Sequence, residues 1–345
     1  MIDFWNSDKT VIIAELSCNH IQHFDIACKT IEAMAESGVD VVKVQNDNAD
    51  GGITINCDNK YFRVGGGTLW DGETLYSLYK KTDTPWEWLP KLQQLAHSLG
   101  MGFFSTPSDY EGVDFLEELN VPAYKISSFE FTDVGLIEKI AKTGKPIILS
   151  TGIAEEEDIQ LALETCRKAG NNNILLMKCT SSYPAPIEET NLLTIPDMKK
   201  RYGVRVGLSD HSMGSVVAST AVALGAEMVE KHFILDRRLG GPDAGFSMEP
   251  DEFKEMIDRI REVEQSLGQV RYELTERGRK NRFFARSLFF IKDLKAGDVI
   301  THDNMKSIRP GNGLHPKYEN EIIGRVVTQD IQRGTPVSWN LIKKL

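Results

Sequence analysis

No apolar run in this chain approaches the ~20 residues that a membrane-spanning helix needs, so no segment reads as crossing a bilayer. The N-terminus, MIDFWNSDKT, lacks a basic stretch leading into an apolar core and is not read as a signal peptide. Positive charge is in short supply too. Lys and Arg number 40 against 50 Asp and Glu, a net charge of -10 over 345 residues, which argues against nonspecific binding to nucleic acid or acidic membranes. Any anionic ligand must therefore be held by local groups. The five cysteines (Cys18, Cys28, Cys57, Cys166, Cys179) are scattered, show no CxxC spacing, and read as the reduced thiols of a cytoplasmic protein. The glycine-rich GGGTLWDG (65–72) lacks both the GK[ST] ending and the strand-to-helix context of a phosphate loop.

What the sequence does have is alternation. Eight short β-rich runs occupy residues 11–16, 39–45, 100–106, 122–128, 146–151, 174–180, 204–210 and 226–233, each nearly all apolar until a polar end. That pattern suits parallel strands covered on both faces. Helical segments such as Asp25–Glu36 and Glu155–Lys168 lie between them, stopped by Gly38 and Gly170. The last helix, between Pro250 and Gly268, repeats Phe253, Met256, Ile257, Ile260 and Leu267 at helical spacing. Eight strand-helix units with no ninth strand predict a closed (β/α)8 TIM barrel over residues 1–268, with an open doubly wound sheet as the alternative. Segment 46–84 is too long for an ordinary connection and is expected to fold over the barrel mouth. Residues 269–282 are polar and charged, a linker by composition. Over 283–345 an internal echo (Asp293 to Gly297, Asp330 to Gly334) predicts a small, mostly-β domain, with brief helices near 302–306 and 318–323.

Chemistry in such a barrel gathers at the C-terminal ends of the strands. There the chain carries Glu15, Lys43, Gln45, Thr106, Lys125, Ser128, Ser150 and the run Ser209-Asp210-His211, with His232 on the eighth strand. Lys43 and Lys125 with the hydroxyls of Thr106, Ser128, Ser150 and Ser209 form a donor-rich cup for phosphate and carboxylate. The bland alternative is that each lysine reaches water and each hydroxyl caps a helix. His211 and His232 end neighbouring strands, roughly 5 Å apart, a spacing at which two imidazoles can share a divalent ion. With two nitrogen ligands in oxygen-rich surroundings, exchangeable Mn or Mg suits the site better than structural zinc. Glu15 suits either a general base or an ion pair with Lys43. Lys178 on the sixth strand keeps a Schiff-base aldolase open as a second enzymatic reading.

The segments AELSCNH, VVKVQ, FFSTP, AYKISSFE, PIILSTG, KCTSSYPAP, GLSDHS, EKHF and GPDAGFSM, with the later ARSL...RPGNG, resemble the sialic acid synthase family over nearly the whole chain. The stretch GGGTLWDGETLYSLYKKTDTPWEW is most similar to its pseudaminic acid branch. The resemblance implies a (β/α)8 barrel followed by an antifreeze-like (SAF) domain, in a domain-swapped homodimer. It implies a metal-dependent transferase that joins phosphoenolpyruvate to an acetamido sugar aldehyde, 2,4-diacetamido-2,4,6-trideoxy-L-altrose for that branch, and releases phosphate. Neuraminic or legionaminic acid synthesis is the nearest alternative; a noncatalytic sugar-binding protein is the alternative of another class.

By the same resemblance Lys43, Thr106, Lys125, Ser128, Ser150, Ser181 and Ser209 hold phosphoenolpyruvate, and His211 and His232 ligate the metal. Gln45, Tyr183, Asp243 and Arg309 contact the sugar, Arg309 from the partner subunit. Glu15 is the acid near the reacting centre and Glu130 follows the Lys125 motif close to the metal; Asp210, between the anion residue Ser209 and the metal residue His211, is read as a third catalytic group that orients its neighbours or balances charge. Two departures stand out: Gln22 where the family has glycine, and Asn46-Asp47-Asn48 where it has T-Y-T-like residues.

Overall fold

A computed structural model describes residues 3–50, 52–68 and 70–344. Its first compact unit runs from Met1 to Gly268 and its second from Gln269 to Leu345. The first is built on eight parallel strands: β1 (Val11–Glu15), β2 (Val41–Asn46), β3 (Gly102–Pro107), β4 (Tyr124–Ile126), β5 (Ile147–Ser150), β6 (Ile174–Cys179), β7 (Arg205–Asp210) and β8 (Met228–His232). β1 pairs with both β2 and β8, so the sheet closes on itself and the doubly wound alternative falls. Among the described residues no helix is long and apolar enough to cross a membrane.

Alternation along each strand sorts the side chains into two layers. Ile12, Ala14, Val42, Val44, Phe103, Leu149, Leu176, Val206 and Val229 pack outward with the helices, including Phe24–Ser37 and Pro250–Leu267. Val11, Ile13, Val41, Phe104, Ile148, Leu175, Met177 and Met228 fill the barrel interior below the site. The next inward positions along these strands are the polar ones. An apolar plug therefore supports a polar floor.

The long connection after β2 builds a cap. A turn closed by the Arg63↔Thr74 bridge leads into the helix Leu75–Thr82, whose start is tied by reciprocal Thr74 and Ser77 hydrogen bonds.

In the second unit β9 (Ser287–Phe290) pairs antiparallel with β10 (Met305–Ile308) over a core of Leu288, Phe290, Leu294, Ile300, Met305, Ile322, Val327, Ile331 and Val337. The sequence echo has a structural counterpart. Asp293 Oδ1 accepts from Arg333 N at 2.7 Å and Asp330 Oδ1 from Ala296 N at 3.0 Å, so each repeat closes the other's turn. Leu294 and Ile331 bridge between them. A helix forms at Glu319–Ile322, but not over 302–306: Asn304 Oδ1 accepts from Thr301 N at 2.8 Å, and this turn launches β10 instead. Within 269–282 a short helix, Glu276–Asn281, interrupts otherwise exposed chain.

Candidate active site

At the C-terminal ends of the barrel strands lies a cavity of about 150 Å³. Lys43, Gln45, Thr106, Lys125, Ser128, Glu130, Ser150, Tyr183, Ser209, His211, His232 and Asp243 all line it, a convergence that unites residues from six strands and the loops above them. The cap contributes Asp47, Ile53, Trp70, Leu78, Tyr79 and Thr82.

The floor is charged and buried. Lys125 Nζ donates to Glu230 Oε2 at 2.6 Å; Lys43 Nζ lies 3.3 Å from Glu230 Oε1 and also binds Glu15 Oε2. Burial opposes the charge on Glu230, but the ammoniums of Lys125 and Lys43 outweigh it and hold the carboxyl down to about 2. Burial pulls Lys43 down to about 8, with Glu230 opposing and Lys125 adding to the pull. Two lysines facing two carboxylates leave this layer with little net charge. Above it, the Thr106 and Ser150 hydroxyls are buried without a hydrogen-bond partner among the described residues, which costs stability unless a ligand meets them.

Gly152 brings a second group of donors together. Its N–H donates to Ser128 Oγ at 3.1 Å, and a Cβ there would sit 2.6 Å from Ser128 Oγ and 3.0 Å from Cys179 Sγ, and overlap Ser181 Oγ. Glycine is needed for that close approach.

The imidazoles of His211 and His232 have ring centroids 5.3 Å apart. His211 Nδ1–H donates to Thr180 O at 3.0 Å, which leaves Nε2 as the free lone pair. His232 Nδ1 is buried, 3.4 Å from Asp243 Oδ2, and makes no hydrogen bond. Tyr183 packs on His211 at 4.4 Å between centroids and Phe246 on His232 at 5.0 Å. This donor set fits a divalent ion. Among the described residues no cluster of three or more His, Cys, Asp or Glu forms a closed cage, so such an ion would draw its other ligands from water and substrate oxygens.

Four sequence candidates lie elsewhere. Glu15 is fully buried beneath Lys43, its second oxygen accepting from Ser17 N at 2.6 Å, so the ion pair and not the base is what the fold builds. Asp210 faces the helix layer, where Lys231 Nζ donates to it at 2.7 Å and Ser212 Oγ at 2.7 Å; alternation after Ser209 turns it away from the cavity, which corrects its reading as a catalytic group. Ser181 stands behind Ser128 and Gly152. Arg309 is exposed after β10 in the second unit. Lys178, the Schiff-base candidate, points outward as well, its Nζ donating to Cys179 O at 2.7 Å. Sequence reading missed Glu230 and named Asp47 only within the Asn46-Asp47-Asn48 segment, not as a site residue, though strand parity marks both: Glu230 is two residues before His232, and Asp47 two after Gln45.

A family model described as the NeuB family matches residues 30–272, and a SAF domain model matches residues 285–343. Pseudaminic acid synthase of Helicobacter pylori is 45% identical over 334 residues, covering 96% of this chain and 98% of that protein. The pseudaminic acid synthase of Campylobacter jejuni serotype O:23/36 is 44% identical over 331 residues, covering 96% of each. Among solved structures, N-acetylneuraminic acid synthetase from Leptospira borgpetersenii in complex with citrate superimposes with a TM-score of 0.71 at 28% identity, covering 79% of this chain and 90% of that one. With its closed barrel, its strand-end cavity and a family match across most of its length, the chain belongs to the NeuB family.

Proposed function

We propose that this chain condenses phosphoenolpyruvate with 2,4-diacetamido-2,4,6-trideoxy-L-altrose and water, giving pseudaminic acid and phosphate. The observation that carries the reading is the floor of the cavity: unpaired Thr106 and Ser150 hydroxyls beside two buried lysines, in a chain similar to pseudaminic acid synthases from end to end.

Lys43, Lys125, Thr106, Ser128, Ser150 and Ser209 bind the carboxylate and phosphate and fix the enol in the cavity. Glu15 and Glu230 hold the two ammoniums in place and offset their charge, so the triply charged reactant needs a further positive partner. His211 and His232 would hold a divalent ion, which when bound supplies that charge and a Lewis acid for the aldehyde oxygen. Manganese and magnesium both suit this donor set.

In the reaction C3 of the enol bonds to the aldehyde carbon, the carbonyl oxygen gains a proton, and water adds its oxygen at C2. Phosphate then leaves with its bridging oxygen as the C2 carbonyl forms. Glu130 lines the cavity, and burial, opposed by Lys43, raises its carboxyl to about 7. That value suits it to take a proton from the attacking water and return it to the alkoxide. Gln45, Tyr183 and Asp243 position the sugar. The reading extends to a homodimer in which Arg309 serves the barrel of a second copy, and to a cytoplasmic enzyme.

The test is phosphate release from phosphoenolpyruvate, manganese and a panel of acetamido hexoses. Release with a matching sugar is expected from the wild type and not from His211→Ala or His232→Ala, both of which should lose metal binding by calorimetry while keeping the wild-type circular dichroism. Silence of the folded wild type across the panel would overturn the reading.

A further inference from the structure

The inward positions of β2 climb one wall of the cavity as Lys43, Gln45 and Asp47, each about 7 Å above the last. Lys43 belongs to the anion floor and Gln45 stands at mid-height. Asp47 is the top rung, one residue beyond the end of β2.

Asp47 is buried, yet it is a poor structural residue. Its neighbours are other acids: burial and the charges of Glu130 and Asp83 push its carboxyl up to about 8, against a small opposing pull from Lys43. Ser108 lies beside it, but that hydroxyl is itself left unpaired and buried. The Ser108 hydroxyl favours the Asp47 carboxylate, but by less than the two acids disfavour it. A buried acid kept among acids, on the wall of a cavity, is costly unless a ligand uses it.

The backbone around Asp47 is held firmly. Trp86 Nε1 donates to Asp47 O at 3.2 Å, and Ser105 Oγ donates to Asn46 Oδ1 at 2.7 Å. Gln22 donates from its Nε2 to the carbonyls of Asp83 and Lys81 at the end of the cap helix. Gln22 and Asp47 therefore both meet the cap. Asp47 also borders an outer cleft lined by Gln22, Asn48, Lys80, Asp83 and Trp86, so it stands where a substrate longer than the inner cavity would pass.

We infer that Asp47, backed by Glu130, is a specificity-determining residue whose carboxyl takes a hydroxyl or amide N–H of the acetamido sugar at the cavity mouth. This rests on the synthase reading and adds to it the group that selects among sugars. The anion floor sits below, and Asp47 acts on it only through its charge, at Lys43.

The test is steady-state kinetics of the full chain, wild type, Asp47→Ala and Asp47→Asn, with phosphoenolpyruvate, manganese and diacetamido hexoses that differ at one acetamido or hydroxyl centre. For Asp47→Ala the KM of the preferred sugar near pH 7 should rise about three- to tenfold, the worth of one hydrogen bond to a neutral carboxyl, and the preference across the panel should narrow. The KM of phosphoenolpyruvate should change less than about threefold. Asp47→Asn keeps size and an acceptor, so a smaller rise with an altered ranking is expected. If the wild type turns over and both variants keep its sugar KM and ranking, or if the phosphoenolpyruvate KM rises as far as the sugar KM, the Asp47 inference is overturned and the synthase reading stands. If the wild type turns over no sugar, both fall.

Discussion

Removing the Asp47 charge should make the barrel more stable, and only above a definite pH. The unfolded carboxyl titrates near 3.8, whereas the folded one is raised to about 8 by burial first and then by Glu130 and Asp83. A group whose folded pKa is raised contributes stability fully present below the unfolded value and lost as pH rises toward the folded one. Asp47 therefore draws stability from the barrel between pH 4 and pH 8. At pH 7 the linkage amounts at most to about 4 kcal/mol, from ~1.4 kcal/mol per pH unit over roughly three units. Glu130 titrates beside it near 7 and shares the effect, and Lys43 loses a nearby anion, so about 2 kcal/mol is the working figure. Asp47→Asn does not titrate. Urea unfolding of wild type and Asp47→Asn, followed by the fluorescence of the first unit's Trp5, Trp70, Trp86 and Trp88 at pH 4, 6, 7 and 8.5, should show no difference at pH 4 and an advantage for the variant that grows from there and levels off near pH 8. An advantage that does not change with pH, or a variant weaker than wild type at pH 8.5, would refute the reasoning.

Two further outcomes test the floor of the cavity and the wall outside it. Lys125→Met leaves Glu230 buried with only Lys43 at 3.3 Å, so it should cost about 3 kcal/mol of stability and most of the affinity for phosphoenolpyruvate. Adding Glu230→Gln should restore much of that stability in urea unfolding without restoring the affinity. Lys178→Ala should keep turnover within about threefold, with no borohydride-trapped adduct in the wild type, because its amine faces away from the cavity and donates to Cys179 O; loss of activity together with a trapped adduct would revive the aldolase.

The fold was legible because its signal is repeated eight times. Near-continuous apolar runs separated by amphipathic helices leave few arrangements other than a closed ring, and closure needs only the pairing of β1 with β8. The floor of the site was legible for a related reason: Lys43, Lys125, Ser150 and His232 interrupt apolar strands near their ends, where a buried polar group needs a purpose. What adjacency in sequence hid was direction. Ser209, Asp210 and His211 read as one polar group, yet a strand turns successive side chains to opposite faces, so Ser209 enters the cavity while Asp210 meets Lys231 among the helices. Lys231 and Glu230 show the converse: in EKHF the histidine draws attention, but counting back by two from His232 finds Glu230, the acid that holds both floor lysines. Glu15 was ambiguous for a different reason. Its role depends on whether Lys43 lies within reach across the β1–β2 pair, and the register that places Glu15 opposite Lys43 is a property of the closed sheet, absent from either strand alone. The same holds for the cap. Composition marks 46–84 as too long for a plain loop, but the meeting of Gln22 with Asp83, of Trp86 with Asp47, and of Asp47 with Glu130 arises only when three separate loops converge, so the make-up of the cavity mouth is what a linear reading reaches last.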